Sequence, residues 1–363
     1  MTLKRLEGTW KAICLRGACL LLRAGRAPHR VPDWQREPSR ILFLRQDRIG
    51  DAIVSSGLLR AIKESGRSIT IDALASPANA PVLIRDPSVT AVHVFDKRRP
   101  GTFPSLVRSL RARRYDAVID CMVTAPSLTS LLLMVASRAS HRIGISGRGV
   151  DSALTIPVDR GVDCGHIVDL YSSFGTVFGI DPELTDWRPA IQLASAELAE
   201  ADARWPRLES GRGRRLLVNV SAGKRERRWP DEHFIAVISR LRKRFEDLSS
   251  VAIGSPSEWD RVEHVAREAG AKALETPRID DAMALVATAD AVFTPDTSIS
   301  HMASAFRTPA LVMFPNRDGA AQWGLYDAPG VDLVGNVASL ADLPIERVLP
   351  ELEQLVESLL QPS

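Results

Sequence analysis

Short apolar runs alternate with amphipathic segments from Ile41 onward. The first run, "ILFL", is typical of a buried strand, and the segment "DAIVSSGLLRAIKES" that follows repeats apolar residues with the period of a helix. The same alternation predicts strands at "SITIDAL", "AVHVF", "DAVID" and "HRIGI", with helices at "ANAPVLIRD", "FPSLVRSLRARR" and "SLTSLLLMVASRA". Apolar strands separated by helices predict parallel βαβ units, and hence an α/β fold with an open, doubly wound sheet.

The alternation stops and then restarts, which divides the chain. Residues 144–163 are predicted to be irregular, and "CGHIVDLYSSFGTVFG" predicts a helix that closes the first domain. After a connector at 181–211, strands are predicted at "RRLLVNV", "SSVAIG", "DAVFTP" and "PALVMF", with helices between them and a last helix at "ELEQLVESLL". The pattern therefore predicts two Rossmann-like domains, over residues 40–180 and 212–363. Open α/β sheets bind ligands beyond the carboxyl ends of their strands, so we expect a cleft between the domains.

Residues 1–39 carry a different pattern, in which basic residues flank a short amphipathic segment. Nine lysines and arginines stand against three acidic residues over positions 1–40, and "WKAICLRGACLLLRAG" places its apolar residues roughly on one helical face. This run is too short to span a bilayer. Two interpretations remain, namely peripheral contact of residues 1–26 with an anionic membrane and a helix that packs on its own protein. Pro28, Pro32 and Pro38 predict a linker over 24–39.

Composition and charge indicate a globular protein of a reducing compartment. The 363 residues are 45% hydrophobic and 25% charged, which is enough to bury a full core in two domains. The four cysteines form no C-x-x-C pair, which argues against disulfides and a structural metal. We therefore expect a cytoplasmic location, with any membrane contact on the inner face. At a net charge of +3 we expect no nucleic-acid partner.

The turn from Arg45 to Asp51 is the first motif that suggests chemistry. Gly50 permits a tight turn between the strand and the helix, and Asp51 then lies near the helix N-terminus. An aspartate there is also a good cap or first-turn residue, so a structural role competes with a functional one. The G-x-G-x-x-G pattern is absent, so the turn is not a dinucleotide fingerprint and a dehydrogenase is disfavoured.

A cluster of cations marks the corresponding loop of the second domain. The segment "NVSAGKRERRWPDEHF" runs from a strand end to a helix start and holds Lys224, Arg225, Arg227 and Arg228. Guanidinium groups and free backbone N–H groups both suit a phosphate or diphosphate at such a place. A solvated basic turn is the alternative. The G-x-x-x-x-G-K-[ST] pattern is missing, so this is not a Walker A loop.

The segment "FTPDTSISHMASAF" is the third motif. A strand ends at Pro295, Asp296 can cap the following helix, and the hydroxyls of Thr297 and Ser298 can hold a phosphate. His301 follows one turn later, where packing and orientation of the loop are both consistent with a helical histidine. No Asp-x-Asp pair occurs in the chain, which argues against a metal–diphosphate clamp. We therefore expect neither a metal nor a cofactor.

These three motifs, in this order and at these separations, resemble glycosyltransferase family 9, the ADP-heptose:lipopolysaccharide heptosyltransferases. The resemblance runs from about residue 41 to 324 and rests on "RQDRIGDAIVSSGLLRAI", "RRWPDEHF" and "DTSISHMASA". It implies a GT-B-type architecture, with the donor nucleotide bound mainly by the second domain. The chain departs from the family at Ser298, where glycine is usual, and at Asn316, in the region of the family's "GPT" sequence. These departures bear on the donor sugar more than on the reaction type.

The resemblance also implies roles for individual residues. Asp51 matches the family's catalytic aspartate, with Arg48 and Gly50 on the acceptor side. The implied reaction is inverting transfer of heptose from ADP-heptose to a lipid-linked saccharide of the lipopolysaccharide-core type, with Asp51 as general base. Two alternatives stay open, namely transfer of another nucleotide sugar to capsule or another glycan, and a non-catalytic nucleotide-sugar-binding module. The residues that match donor-binding positions are Lys224, Arg227, Asp296, Thr297, Ser298 and His301.

Overall fold

The computed structural model describes residues 17, 19–20, 32–34, 36–66, 68–122, 127–147, 149–160, 165–207 and 213–359. The chain forms two compact units. Unit 1 comprises the residues up to Cys164 together with Val168–Trp187. Unit 2 comprises Gly165–Ile167 together with the residues from Arg188 onward.

Unit 1 is built on a parallel sheet with the strand order β3-β2-β1-β4-β5-β6. The order reverses at β1, which pairs with β2 on one side and with β4 on the other. The strands are β1 (Ser39–Arg45), β2 (Ile69–Ala75), β3 (Val89–Val94), β4 (Ala117–Asp120), β5 (His141–Ile145) and β6 (Ile156–Val158). The helices are Ile49–Val54, Ser56–Ser65, Ala80–Ile84, Phe103–Arg113, Leu128–Ser137 and Ile167–Ser172, the last followed by a 3₁₀ segment at Ser173–Phe178.

Unit 2 repeats this topology in the order β12-β11-β10-β7-β8-β9, which reverses at β7 between β8 and β10. The strands are β7 (Arg214–Asn219), β8 (Leu248–Ile253), β9 (Lys272–Ala273), β10 (Ala291–Pro295), β11 (Ala310–Phe314) and β12 (Gly330–Val334). The helices are Ser195–Arg204, Asp231–Arg244, Trp259–Ala269, Ile279–Thr288, Ser298–Phe306, Arg317–Trp323 and Ile345–Ser358. The prediction of an α/β fold with two Rossmann-like, doubly wound sheets is confirmed.

A buried tryptophan fixes the end of the cation loop, which we define as residues 220–228. The Trp229 ring packs edge-on against Phe234 and Phe293, with ring centroids 4.9 and 5.7 Å away. Its Nε1 donates a hydrogen bond to the carbonyl oxygen of Leu343 at 2.9 Å. Because the indole is buried and its polar N–H is satisfied, it sets where the loop meets the helix Asp231–Arg244.

Most of the predicted leader lies outside the described residues. Of the part that is described, Cys19 packs against the core of unit 1 and Leu20 is exposed. In the predicted linker, Trp34 is buried and its ring packs on those of His141 and Phe178. The linker is therefore fastened to unit 1 at this tryptophan. Over the described ranges no helix is long and apolar enough to cross a bilayer, and membrane contact of residues 1–26 stays a prediction.

The sequence pattern misses the short strands at the sheet edges. The prediction of irregular structure at 144–163 is wrong at β6, and neither β9, β12 nor the helix Arg317–Trp323 was predicted. An edge strand is covered on fewer sides, so its apolar run is shorter and is broken by half-exposed residues. Pro157 within β6 weakens the strand signal further, although proline is tolerated at an edge.

The single helix predicted after β1 is two helices that break at Ser55. The hydroxyl of Ser55 donates to the carbonyl oxygen of Ala52 at 2.9 Å, and that of Ser56 donates to Ile53 at 2.7 Å. Serine hydroxyls that bond back to the preceding turn compete with the backbone ladder. The break separates the short helix that carries Asp51 from the longer helix behind it.

Candidate active site

All three motifs lie where the strand order of a sheet reverses. In unit 1 the turn of residues 46–48 leaves β1, which has β2 and β4 on either side. In unit 2 the cation loop leaves β7, and the loop of residues 296–297 leaves the adjacent strand β10. Open α/β sheets bind their ligands at such points, because the connections diverge to opposite faces and leave a crevice. The structure therefore brings the second and third motifs together within unit 2.

Asp51 is the third residue of the helix Ile49–Val54, and its side chain is half-buried. The N-cap is Arg48, which is exposed and makes no capping hydrogen bond. Gly50 lies inside the helix, so the tight turn predicted at this glycine is wrong and is formed by residues 46–48 instead. Among the described residues none hydrogen-bonds or pairs with the Asp51 carboxylate. Asp51 is thus a first-turn residue whose carboxylate is not used as a cap.

Side chains from the end of β2 hold the turn that leads to Asp51. Asn79 is fully buried, and its Nδ2 donates to the carbonyl oxygens of Arg45 at 2.7 Å and Arg48 at 3.3 Å. The Ser76 hydroxyl donates to the carbonyl oxygen of Asp47 at 3.2 Å. Carbonyls that the turn leaves without ladder partners thus accept side-chain hydrogen bonds. These contacts fix the path of the backbone into the helix.

A buried arginine next to this turn escaped the sequence prediction. Arg45, the last residue of β1, is 1% exposed, and its guanidinium contacts Asp47, the Tyr171 hydroxyl and the carbonyl oxygen of Cys121. An arginine that follows an apolar run suggests the solvated end of a strand. Only the fold brings the helix Ile167–Ser172 over it, so sequence spacing carries no signal for Tyr171.

In unit 2 an ion pair joins the cation loop to the loop after β10. Arg227 Nη1 lies 2.9 Å from Asp296 Oδ2 and donates to the carbonyl oxygen of the same residue at 3.1 Å. Asp296 is 4% exposed, whereas 21% of the Arg227 side chain is exposed. The Nε and Nη2 groups of Arg227 make no hydrogen bond within the part of the chain that the structure describes. The guanidinium is therefore anchored at one nitrogen and has donors to spare.

The cap of the helix Ser298–Phe306 is Thr297, so the prediction that Asp296 caps it is wrong. Thr297 Oγ1 accepts a hydrogen bond from the backbone N–H of Ile299 at 3.3 Å. Asn219, at the end of β7, donates from Nδ2 to the hydroxyl oxygens of Thr294 and Thr297 at 3.0 and 3.1 Å. Asn219 was missed by the sequence analysis, although its place after an apolar strand was visible. It couples the two strands that flank the reversal.

His301 is buried inside this helix and contacts the ring of Trp323 edge-on at 5.9 Å. Burial lowers the pKa of His301 to about 3, and the neighbouring His166 and Arg227 act in the same direction. The imidazole is therefore neutral at pH 7 and contributes no charge to an anion site. His166, a second residue missed from sequence, bonds the carbonyl oxygen of Gly324 at 3.1 Å through Nε2.

The other cations of the loop differ in how far they are already paired. Lys224 is exposed and lies 3.5 Å from Glu226. Arg228 pairs at 2.5 Å with Glu258, a carboxylate for which spacing gave no partner. Arg227 alone of the cations predicted to bind donor reaches the loop after β10 through contacts between described residues. These three cations therefore do not form one uniform patch.

Comparison with known protein families identifies the family of this chain. The sequence model of glycosyltransferase family 9 (heptosyltransferase) matches residues 103–328, which is more than half of the chain. The chain belongs to glycosyltransferase family 9. It is therefore an enzyme that transfers a glycosyl group, as the motifs predict. The matched segment of this family 9 enzyme contains both loops of unit 2 and begins after Asp51.

The relatives of this glycosyltransferase have low sequence identity to it but align with most of the chain. "Lipopolysaccharide heptosyltransferase 3" of Escherichia coli (strain K12) is 22% identical over 74% of this chain and 80% of its own length. The solved glycosyltransferase family 9 protein from Veillonella parvula DSM 2008 matches with a TM-score of 0.77 and 17% identity, covering 90% of this chain and 99% of its own. An E. coli heptosyltransferase solved with ADP-2-deoxy-2-fluoro heptose matches with a TM-score of 0.69 and 18% identity. This match covers 87% of this chain and 99% of the E. coli chain. The shared fold confirms the predicted GT-B-type architecture.

Replacing Arg227 by alanine is expected to destabilise unit 2, because it removes the guanidinium from the buried Asp296 carboxylate. Breaking a fully buried pair costs about 3–5 kcal/mol, and because Arg227 is partly exposed we expect about 1–3 kcal/mol. Chemical denaturation followed by tryptophan fluorescence measures the change. Arg228→Ala is the matched control, since its surface pair with Glu258 should contribute less than about 1 kcal/mol. Equal losses in the two variants would contradict a special role for the Arg227–Asp296 pair.

Proposed function

We propose that this family 9 enzyme transfers heptose from ADP-heptose to a saccharide acceptor of the lipopolysaccharide-core type, with inversion and with Asp51 as general base. Relatives across most of the chain are named lipopolysaccharide heptosyltransferases, and a solved neighbour was obtained with an ADP-heptose analogue. The observation that carries the proposal is the carboxylate of Asp51, at the strand-order reversal of unit 1, which serves neither as a cap nor in an ion pair with any described residue.

The donor diphosphate is assigned to unit 2. As the glycosidic bond breaks, negative charge grows on the leaving diphosphate and must be neutralised. Arg227 supports this role because its guanidinium is held at Nη1 and offers further N–H donors. The helix Ser298–Phe306 begins beside it, with Thr297 as cap, and the positive end of the helix dipole favours an anion there. Lys224 supplies a second charge from the exposed side of the loop.

The acceptor hydroxyl must lose its proton while it attacks the anomeric carbon. A carboxylate within hydrogen-bond reach of that hydroxyl is the simplest general base. Asp51 is suited to this because its carboxylate is half-buried and is free of hydrogen bonds from the described residues. We assign Arg48 and Gly50 to the acceptor side on their position next to it.

Transfer of a different nucleotide sugar is the second candidate, and Ser298 favours it. This serine is the first residue of its helix, and its hydroxyl makes no hydrogen bond within the described ranges. An unused hydroxyl at a phosphate-facing helix end can alter which donor fits. Nucleoside diphosphate release from a panel of nucleotide sugars separates the two candidates, because only one donor should give rapid turnover.

Asp51→Asn tests the proposed base. Asparagine keeps the size of the side chain but cannot take a proton, so kcat should fall about 10²–10⁴-fold. Donor affinity and melting temperature should stay close to those of the wild type, because Asp51 makes no hydrogen bond with a described residue that asparagine would lose. The assay measures ADP release from ADP-heptose with lipopolysaccharide cores of graded length.

Asp260→Asn is the control for this variant, since Asp260 is an exposed acid in the first turn of the helix Trp259–Ala269 in unit 2. The Asp260→Asn variant removes a negative charge from the first turn of a helix outside the proposed active site, so turnover should be unaffected. Near-normal turnover of Asp51→Asn on the acceptor that the wild type uses would show that this aspartate is not the base.

A lipid-linked acceptor would explain the basic leader, and we include peripheral contact of residues 1–26 with the inner membrane face in the proposal. Replacing Lys4, Arg5, Lys11 and Arg16 by glutamine should reduce binding to anionic vesicles, because each basic residue near such a surface contributes about 1 kcal/mol. Vesicle co-sedimentation measures this, with Lys243→Gln in unit 2 as a surface-charge control. Unchanged co-sedimentation of the fourfold variant would eliminate the leader as the membrane contact.

A further inference from the structure

Each nitrogen of the Arg45 guanidinium donates a hydrogen bond. Its Nε donates to the Ser55 hydroxyl at 3.4 Å, and its Nη1 donates to Asp47 Oδ2 at 3.0 Å and to the carbonyl oxygen of Cys121 at 3.3 Å. Its Nη2 donates to the Tyr171 hydroxyl, and the charge also lies 4.9 Å from the centre of that ring. A planar fork with fixed donor directions suits such a set of partners, and a lysine ammonium does not.

These partners come from four different parts of unit 1. Asp47 belongs to the turn after β1, and Ser55 to the break between the two helices that follow. Cys121 comes directly after β4, the strand on the other side of the reversal, and Tyr171 lies on the helix Ile167–Ser172. Asp51 stands midway in sequence between Asp47 and Ser55. Arg45 therefore contacts the segment that carries the proposed base on both sides of Asp51, at Asp47 and at Ser55.

The titratable groups that act on the pKa of Arg45 are all acids. Although burial alone lowers the pKa of Arg45, the groups of Asp47, Tyr171, Asp51 and Cys121 hold it well above its ordinary value. Burial raises the pKa of Asp47, Arg45 opposes that change, and the negative charge of Asp51 adds to it. Asp47 Oδ1 is buried and accepts no hydrogen bond from a described residue. The guanidinium of Arg45 is therefore the cation that compensates the buried carboxylate of Asp47.

We propose that Arg45 is a positioning residue of the active site: its guanidinium, bonded to Asp47 before Asp51 and to Ser55 after it, fixes the turn and helix that carry Asp51. The positional part stands on the contacts of Arg45. The kinetic part rests on the proposed function, in which Asp51 accepts the proton.

A second buried arginine provides a matched control. Arg215, at the start of β7 in unit 2, pairs with Asp202 and lies 5.4 Å from the centre of the Trp205 ring. It therefore shares the burial, the carboxylate and the aromatic contact of Arg45. It lies at the amino end of its strand, whereas the cation loop leaves the carboxyl end. A change that acts only through general stability should affect both arginines alike.

The test combines hydrogen–deuterium exchange with kinetics on Arg45→Lys, Tyr171→Phe and Arg215→Lys. Arg45→Lys keeps the charge but loses the fork, so exchange in peptides covering residues 46–55 should quicken about tenfold or more. Its kcat should fall about 10–100-fold while the donor KM stays within about twofold, because the base is misplaced and the donor site is not. Tyr171→Phe should show the same pattern more weakly. Arg215→Lys should lower the melting temperature but leave kcat and exchange at 46–55 unchanged.

The pH profile separates charge from geometry. Arg45→Gln removes the cation that faces the buried Asp47, so the pKa of that carboxyl should rise further, whereas Arg45→Lys should keep it; a pH titration followed by carboxyl NMR measures both. If Arg45→Gln does not fold, Arg45→Lys and Tyr171→Phe still decide the proposal through exchange and kcat. Wild-type exchange at 46–55 together with wild-type kcat in Arg45→Lys would overturn it. Failure of the wild type to use ADP-heptose would defeat the proposed function, and the exchange measurement would still decide the role of Arg45.

Discussion

The reversal of strand order at the first strand of each sheet is the constraint on which the rest of the structure depends. Parallel strands need crossover connections, and at the reversal these connections leave for opposite faces of the sheet. The loops that leave β1 in unit 1 and β7 in unit 2 therefore diverge from those that leave β4 and β10. Polar side chains can be placed at this edge, and Asp51 and Arg227 stay partly exposed there. The chain uses this position twice, with a carboxylate in unit 1 and cations in unit 2.

In both units an arginine reaches across the reversal. Arg45, at the end of β1, bonds the carbonyl oxygen of Cys121 just after β4. Arg227, in the loop after β7, bonds the carbonyl oxygen and the carboxylate of Asp296 just after β10. The backbone carbonyls at strand ends have lost their ladder partners, and a guanidinium can satisfy them while it also holds a carboxylate. The same device thus keeps the two diverging loops of each sheet in register.

The sequence alone was sufficient for the architecture and for the location of the motifs. Long apolar strands between amphipathic helices are decided by local pattern, and each of the three motifs follows such a strand. The short strands β6 and β12 were not found, because edges carry little apolar signal. The cap of the helix Ser298–Phe306 was assigned to Asp296 instead of Thr297, since both residues are good caps and only the contact of Asp296 with Arg227 shows which one is engaged elsewhere.

Contacts between residues far apart in the sequence are a second kind of feature that sequence spacing does not reveal. Nothing near Arg45 in the chain indicates that Tyr171 covers it, and nothing near His301 indicates His166 or Trp323 as neighbours. Such pairs are set by the packing of elements far apart in sequence, so a local pattern holds no trace of them. The predicted site residues are therefore those that closely follow a predicted strand. The missed residues are those that contact them from distant parts of the sequence.

The neutral, buried imidazole of His301 makes the stability of unit 2 depend on pH. Folding holds the pKa of this histidine near 3, whereas in an unfolded chain it returns to the ordinary value of about 6.5. Below that value the unfolded chain takes up a proton that the folded chain refuses, so the free energy of unfolding falls as the pH drops toward 3. The helix Ser298–Phe306 carries this histidine and begins beside Asp296 and Thr297. His301 therefore makes unit 2 less stable in acid, and the helix that carries it follows directly on the loop after β10.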